Sequence, residues 1–265
     1  MVVVVNLSDM LDCLRANPVF AELKTWALEE LLDAANLRTV PAEGAIVRQG
    51  DNADCFGVIS SGRAKMVQVT LDGRQVLLRY LVAGQEFGLI AVLPGNTYPV
   101  SIEAVEACQV LYWPGPALAD AFVRHPQIAL NALRIMVIRN QELQARYREL
   151  VTDRVEQRLA RALVRLASVA GAPDEQGTLI ALPLSREDLA EMIGTTLYTV
   201  SRTLSHWEQL GLVATGRERI VVSATAELEQ IAGEQESVPA SCVAPCALVE
   251  MLTVARNTPA HPARR

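Results

Sequence analysis

Leu184-Ser185-Arg186-Glu187-Asp188-Leu189-Ala190-Glu191-Met192-Ile193-Gly194-Thr195-Thr196-Leu197-Tyr198-Thr199-Val200-Ser201-Arg202-Thr203-Leu204 decides the reading of this chain. It reads as helix, tight turn, helix. Ser185 is placed to cap the first helix, with Asp188 three residues on as an acidic variant of the capping box. Leu189, Ala190 and Ile193 give that helix an apolar face, and Gly194 supplies the backbone freedom the turn needs. Thr195 or Thr196 then caps a second helix whose Leu197, Val200 and Leu204 recur at three- and four-residue spacing and are expected to face inward. Tyr198, Thr199, Ser201 and Arg202 are left outward near its start, where a recognition helix meets base edges in the major groove. An ordinary amphipathic hairpin would not need cap, turn and outward polar set to agree.

Working outward, Leu212-Val213-Ala214-Thr215 and Arg219-Ile220-Val221-Val222 flank Gly216-Arg217-Glu218, a predicted β-hairpin directly after the recognition helix. Such a hairpin is the wing of a winged helix. Arg186, Arg217 and Arg219 are placed to meet phosphate, which adds affinity without sequence information, and His206 near the end of the recognition helix is better placed for phosphate than for metal. Upstream, Asp153 is read as the cap of a helix running to about Ala170, ended by Gly171-Ala172-Pro173.

Residues 116–152 carry helical periodicity. Ala129, Met136, Leu143 and Leu150 recur every seven residues, and Leu133, Asn140 and Tyr147 form the companion seam. This predicts a coiled-coil dimerisation helix with one polar seam residue, Asn140, of the kind that fixes register and partner number. Residues 38–113 are glycine-punctuated and strand-like, and Asp72-Gly73 between Met66–Thr70 and Gln75–Tyr80 is a strong hairpin signal. Many short strands at this spacing predict a small β-barrel or sandwich. A metalloenzyme barrel would need clustered histidines, yet His125, His206 and His261 all lie outside this segment.

Composition narrows the class. A 51 % hydrophobic content supports packed cores, and no run of apolar residues is long enough to span a membrane. The opening Met1-Val2-Val3-Val4-Val5 lacks the basic start of a secretion signal, and five scattered cysteines do not form a disulfide framework, so a cytoplasmic location is expected. The net charge of −6 argues against nonspecific polyanion binding but leaves room for a local basic face. No paired histidines, no Ser-His-Asp set and no phosphate-cradling glycine loop suggest an enzyme. The expected organisation is a helical segment (1–37), a β sensor domain (38–115), a helical hinge and dimerisation helix (116–152), a winged helix-turn-helix (153–232) and a Pro/Ala-rich tail (233–265) with Cys242 and Cys246. The fold class is α+β.

This order resembles the cyclic-AMP receptor protein / fumarate–nitrate reductase regulator (CRP/FNR) family of bacterial transcription factors over roughly residues 20–225. The resemblance rests on Val47-Arg48-Gln49-Gly50-Asp51, Ile59-Ser60-Ser61-Gly62, Gly84-Gln85-Glu86-Phe87-Gly88 and above all Thr199-Val200-Ser201-Arg202-Thr203-Leu204. It implies a cyclic-nucleotide-binding-like β-roll and a homodimer on palindromic double-stranded DNA, with RNA polymerase a further candidate partner. Half-sites should lie about 34 Å apart, and Arg202 should read a guanine. Ser201 matches the fumarate–nitrate branch, and Tyr198 stands where both branches usually carry glutamate, which implies altered specificity. The positions that hold ribose and phosphate in the cyclic-AMP branch are Leu89, Tyr98 and Pro99 here, and those that reach adenine are Leu143 and Gln144. With no arginine among them, the implied pocket is mostly apolar and its signal is something other than cyclic AMP.

The expectation is no cofactor, with two alternatives. An iron–sulfur cluster would need thiolates beyond Cys13, because the later family cysteine aligns with Leu111, three residues from Cys108. Cys242-x-x-x-Cys246 would then have to contribute as metal ligands, or serve as a redox pair. Haem would call on His125. Cys55 and Cys108 are read as core residues. An interaction module that has lost DNA binding is the remaining alternative.

Overall fold

Two antiparallel four-stranded sheets form a roll, an N-terminal pair of helices and the start of a long helix pack together on one of its sheets, and the long helix leads to a second, smaller domain. The computed structural model describes residues 6–216 and 218–233. Helices α1 (Leu7–Ala16) and α2 (Thr25–Asp33) precede strands β1 (Asn36–Val40), β2 (Ala45–Val47), β3 (Cys55–Ser61), β4 (Ala64–Val69), β5 (Gln75–Leu81), β6 (Glu86–Phe87), β7 (Ser101–Ala104) and β8 (Cys108–Pro114). The sheets run β1-β8-β3-β6 and β2-β7-β4-β5. β3 and β8 are buried on both faces and divide their side chains by strand alternation. Phe56, Val58, Leu111 and Trp113 point toward the helices, whereas Ile59, Cys108 and Val110 point into the roll with Leu81, Phe87 and Ile102. The Trp113 indole donates to the Leu31 carbonyl at 2.8 Å and ties α2 to this sheet. At Gly57 a Cβ would meet the Phe87 ring at 2.2 Å, so the close β3–β6 packing requires glycine there.

The helical segment after the roll is two helices. α3 (Gly115–Arg124) ends at His125, and α4 (Pro126–Thr152) begins at Pro126, whose missing amide costs nothing at a helix start. Ile128, Asn131, Ala132 and Ile135 are buried against the N-terminal elements. The Asn131 amide donates to the Val19 and Ala21 carbonyls at 3.1 and 2.9 Å. Leu133, Met136, Val137, Leu143, Tyr147 and Leu150 are exposed on the single chain, Leu143 by 65 %.

Asp153 does not cap the next helix. It is the C-cap of α4, and Arg154 is the N-cap of α5 (Val155–Ala170), with its amide donating to Gln157 at 3.0 Å. The Asp153 carboxylate instead takes the Arg161 guanidinium at 2.5 Å. The second domain continues with β9 (Gly171–Asp174), β10 (Gly177–Ile180), α6 (Arg186–Ile193), α7 (Leu197–Gln209), β11 (Val213–Gly216), β12 (Arg219–Val222) and α8 (Thr225–Ala232). Its sheet order is β11-β12-β10-β9. The predicted wing thus sits at the edge of a four-stranded sheet. β9 and β10 were not expected, since Gly171 and Pro173 are poor strand residues.

The two domains share a core. Val67, Leu77 and Tyr80 of the β4–β5 hairpin belong to the same apolar cluster as Leu159, Leu182, Leu184 and Leu189. The Tyr80 hydroxyl donates to the Pro183 carbonyl at 3.2 Å. Arg63 donates to the Ala181 carbonyl while its other edge pairs with Glu106 at 2.6 and 2.8 Å.

Candidate nucleic-acid interface

The turn between α6 and α7 is built as its local chemistry dictates. Ser185 Oγ accepts from the Asp188 amide at 3.0 Å, and the Asp188 carboxylate accepts from the Ser185 amide at 2.8 Å, closing the capping box. Gly194 sits at φ +64° in the left-handed region, which ends α6 and turns the chain. Thr196, rather than Thr195, is the N-cap of α7 and accepts from the Thr199 amide at 3.2 Å. Leu189, Ala190, Ile193, Val200 and Leu204 are buried as expected, joined by Thr203 and Trp207.

Along the outer side of α7, Tyr198 is 74 % exposed, Arg202 and His206 are exposed, and Thr199 and Ser201 are half-buried. Arg202 makes no hydrogen bond or ion pair among the described residues, so its guanidinium is available to an outside acceptor. Leu197 departs from expectation. At the first position of α7 it is 49 % exposed and lines a cleft of about 350 Å³ between α7, the start of α6 and the wing. The amide positive end of α7 and Arg202 favour negative charge on the same side of the domain.

The cationic residues expected to meet phosphate are placed unequally. Arg186 donates to Thr215 Oγ1 at 3.3 Å and braces the wing. Arg219 is held by Asp174 of β9 at 2.6 Å, so its charge is largely committed inside the domain. Arg217 lies outside the described residues. Sequence reasoning missed Glu208, whose Oε1 accepts from the Thr215 amide at 2.9 Å and locks the wing to the recognition helix. Only the fold brings those two together.

Residues 157–231 match the Crp-like helix-turn-helix domain, and residues 37–125 match the Cyclic nucleotide-binding domain. Transcriptional regulator LdrP of Thermus thermophilus is 31 % identical over 189 residues, covering 71 % of this chain and 92 % of that protein. The chain belongs to the CRP/FNR family of bacterial transcription regulators. Transcriptional activator protein anr of Pseudomonas aeruginosa is 26 % identical over 72 % of this chain and 78 % of its own length. A solved transcriptional regulator of the CRP family, also from Thermus thermophilus, superposes with TM-score 0.61 at 27 % identity, covering 74 % of this chain and 97 % of that one. The roll, long helix and winged helix are therefore the CRP/FNR architecture.

The sensor side of this CRP/FNR chain departs from the expected pocket. Tyr98 is buried inside the roll, with its hydroxyl accepting from the Cys55 amide at 3.1 Å and donating to the Cys55 carbonyl at 2.8 Å. Leu89 packs against the helical cluster, on the other side of the sheet, while Pro99, Leu143 and Gln144 are exposed. These five side chains do not enclose one cavity within a single chain. Nor do the described cysteines fit a cluster. Cys13, Cys55 and Cys108 each have separate partners, and burial raises all three thiols, Cys108 to about 11, which disfavours the thiolate a metal needs. His125 lies against Trp26 with Glu30 at 3.4 Å, a setting that suits a packed helix junction better than a haem ligand. Cys242 and Cys246 lie outside the described residues. Among those described, no helix is long and apolar enough to cross a membrane.

Proposed function

We propose that this chain is a homodimeric, cytoplasmic regulator that reads a palindromic DNA site through α7 and is switched through its β-roll by a signal other than cyclic AMP. The observation that carries the reading is a free Arg202 beside an exposed Tyr198 on a capped, well-packed recognition helix. Arg202 supplies the planar fork that pairs with a guanine, and Tyr198 replaces a second hydrogen-bonding reader with an aromatic face. Dimerisation is supported by the apolar stripe of Leu133, Met136, Leu143, Tyr147 and Leu150, which one chain alone leaves in water. Ala129 and the exposed Asn140 complete the two seams, and Asn140 pairing with its partner copy would set the register.

Control would pass along the contacts between the domains. A signal that changes how α4 sits on the roll shifts the β4–β5 hairpin, and that hairpin grips α6 through Leu77 and Tyr80. Only a ligand with unequal affinity for the two arrangements can drive the shift.

Selection from random duplexes tests the reading. The full chain should enrich an inverted repeat with a guanine in each half-site, and sedimentation should give a dimer. Leu143→Glu should give a monomer that no longer protects both half-sites. A monomeric parent, or enrichment of no sequence, would overturn the proposal.

A further inference from the structure

The structure assigns to the first turn of α7 an apolar subsite for the 5-methyl group of a pyrimidine, built on Tyr198 with Leu197 at its flank. It deepens the proposed function by naming what α7 reads besides guanine, and it rests on that reading of α7. The polar groups of this turn are already satisfied. The Thr196 and Thr199 hydroxyls share a hydrogen bond at 2.9 Å, and Thr196 Oγ1 also accepts from the Thr199 amide. The inner face of α7 is filled by Val200, Thr203, Leu204 and Trp207, all buried. Tyr198 and Leu197 are left in water, 74 % and 49 % exposed. The Tyr198 hydroxyl makes no hydrogen bond among the described residues.

Tyr198 stands one helical turn before Arg202 on the same outward stripe, so both enter one groove together. Four residues of helix advance about 6 Å, roughly two base-pair steps, which places the edge under Tyr198 within about two base pairs of the guanine assigned to Arg202. Base edges in the major groove offer donors and acceptors, and the one apolar substituent among them is the pyrimidine 5-methyl. An aromatic ring pressed on an amino or carbonyl edge strips its water and returns little. The same ring pressed on a methyl removes apolar surface from both partners. Leu197 extends that surface toward the wing, where it lines a cleft with Leu184, Leu204 and Ile220. Thymine carries the methyl in any duplex, and cytosine carries it only when 5-methylated.

The test uses the full chain and the duplex it enriches by selection, with each thymine exchanged singly for uracil, which deletes the 5-methyl group and nothing else. One exchange, close to the guanine, should weaken binding by about threefold to fivefold for each half-site changed, the size expected for one buried methyl. Tyr198→Phe should keep that penalty, Tyr198→Ser should abolish it, and Leu197→Ala should reduce it. A C·G pair in place of that T·A pair should also lose affinity, and 5-methylcytosine at the same position separates the two sources. Recovery makes the subsite responsive to cytosine methylation, and no recovery confines it to thymine. A selected half-site without thymine near the guanine, no uracil penalty at any position, or an equal penalty in Tyr198→Ser would overturn the proposal while guanine reading by Arg202 stands. If Tyr198→Phe weakens every duplex alike, the tyrosine is a phosphate contact and the proposal falls. Failure to enrich any sequence would instead overturn the reading of α7 on which the subsite rests.

Discussion

The DNA-reading end and the sensing end of this molecule are built on opposite plans. The reader is local. Its cap, turn and outward side chains fall within Ser185–His206, on two helices that rest on a core shared with α5, the small sheet and the β4–β5 hairpin. The joint between the roll and α4 brings together Asn17, Arg79, Glu86, Arg139 and Arg146, from the end of α1, β5, β6 and α4. A local site keeps its geometry when the rest of the chain moves, which suits a module that must dock unchanged on DNA. A site shared by two elements changes when those elements move, which suits a sensor. Between them lies the β4–β5 hairpin, whose inner face belongs to the core of the reader.

The sharpest way to break this contrast is at Arg202. Arg202→Ala should lower the preference for operator over random DNA by about tenfold to more than a hundredfold, matching the loss of roughly 1–3 kcal/mol per guanine contact. The slope of affinity against salt should stay nearly unchanged, since a base contact releases few counterions. Competition binding at several salt concentrations measures both. An unchanged preference would mean that sequence is read elsewhere.

Leu77→Ala probes the link between the two ends. Leu77 is 2 % exposed and packs where the roll meets α6, so truncation should cost about 2–5 kcal/mol in chemical denaturation. If the hairpin couples sensor to reader, the variant should also bind its operator with an affinity that no longer responds to any effector. A variant that loses stability but keeps its response would move the coupling to α4 and α5.

Gly194→Ala sharpens the claim that the reader is locally determined. A side chain at φ +64° costs about 1–2 kcal/mol, and the new Cβ would come within 3.1 Å of Leu150 at the end of α4. The expected result is a loss of that size in stability with the guanine preference intact. A collapse of specificity would show that the turn sets the angle of α7 itself.

The same contrast explains what could be read from sequence. Ser185, Asp188, Gly194 and Thr196 announce the helix-turn-helix because capping and left-handed turns act over three or four residues. The exposed heptad stripe on α4 was legible for the same reason. Leu197 misled, because the helical spacing that buries Val200 and Leu204 does not hold at a first-turn position beside an open wing cleft. Asp153 looked like a cap but serves Arg161, and Arg219 looked free but is held by Asp174 across the sheet. The four-residue β9 and β10 carry too little pattern to be seen. The arginines of the joint were visible only as scattered charges, since nothing in a helix at 139–146 says which strand it covers.

The smallest effect expected is a pH dependence at the α3–α4 junction, where the reader's support meets the roll. The His125 side chain is 9 % exposed and lies tilted against Trp26, with ring centroids 5.5 Å apart. Burial, and after it the positive charge of Arg124, hold its proton affinity below the ordinary 6.5, and Glu30, 3.4 Å away, is also engaged by Arg124. The unfolded chain therefore takes up the proton first as pH falls. By linkage, the stabilisation is fully present above 6.5 and is lost as pH drops through the window just below it. Denaturation midpoints measured from about pH 8 down to about pH 5 should fall more steeply for the parent than for His125→Gln, which has no proton to gain. Equal slopes would mean that Glu30 has fully compensated the burial. The junction would then be a neutral hinge, and the pH sensitivity of the molecule would have to be sought among the carboxylates of the joint.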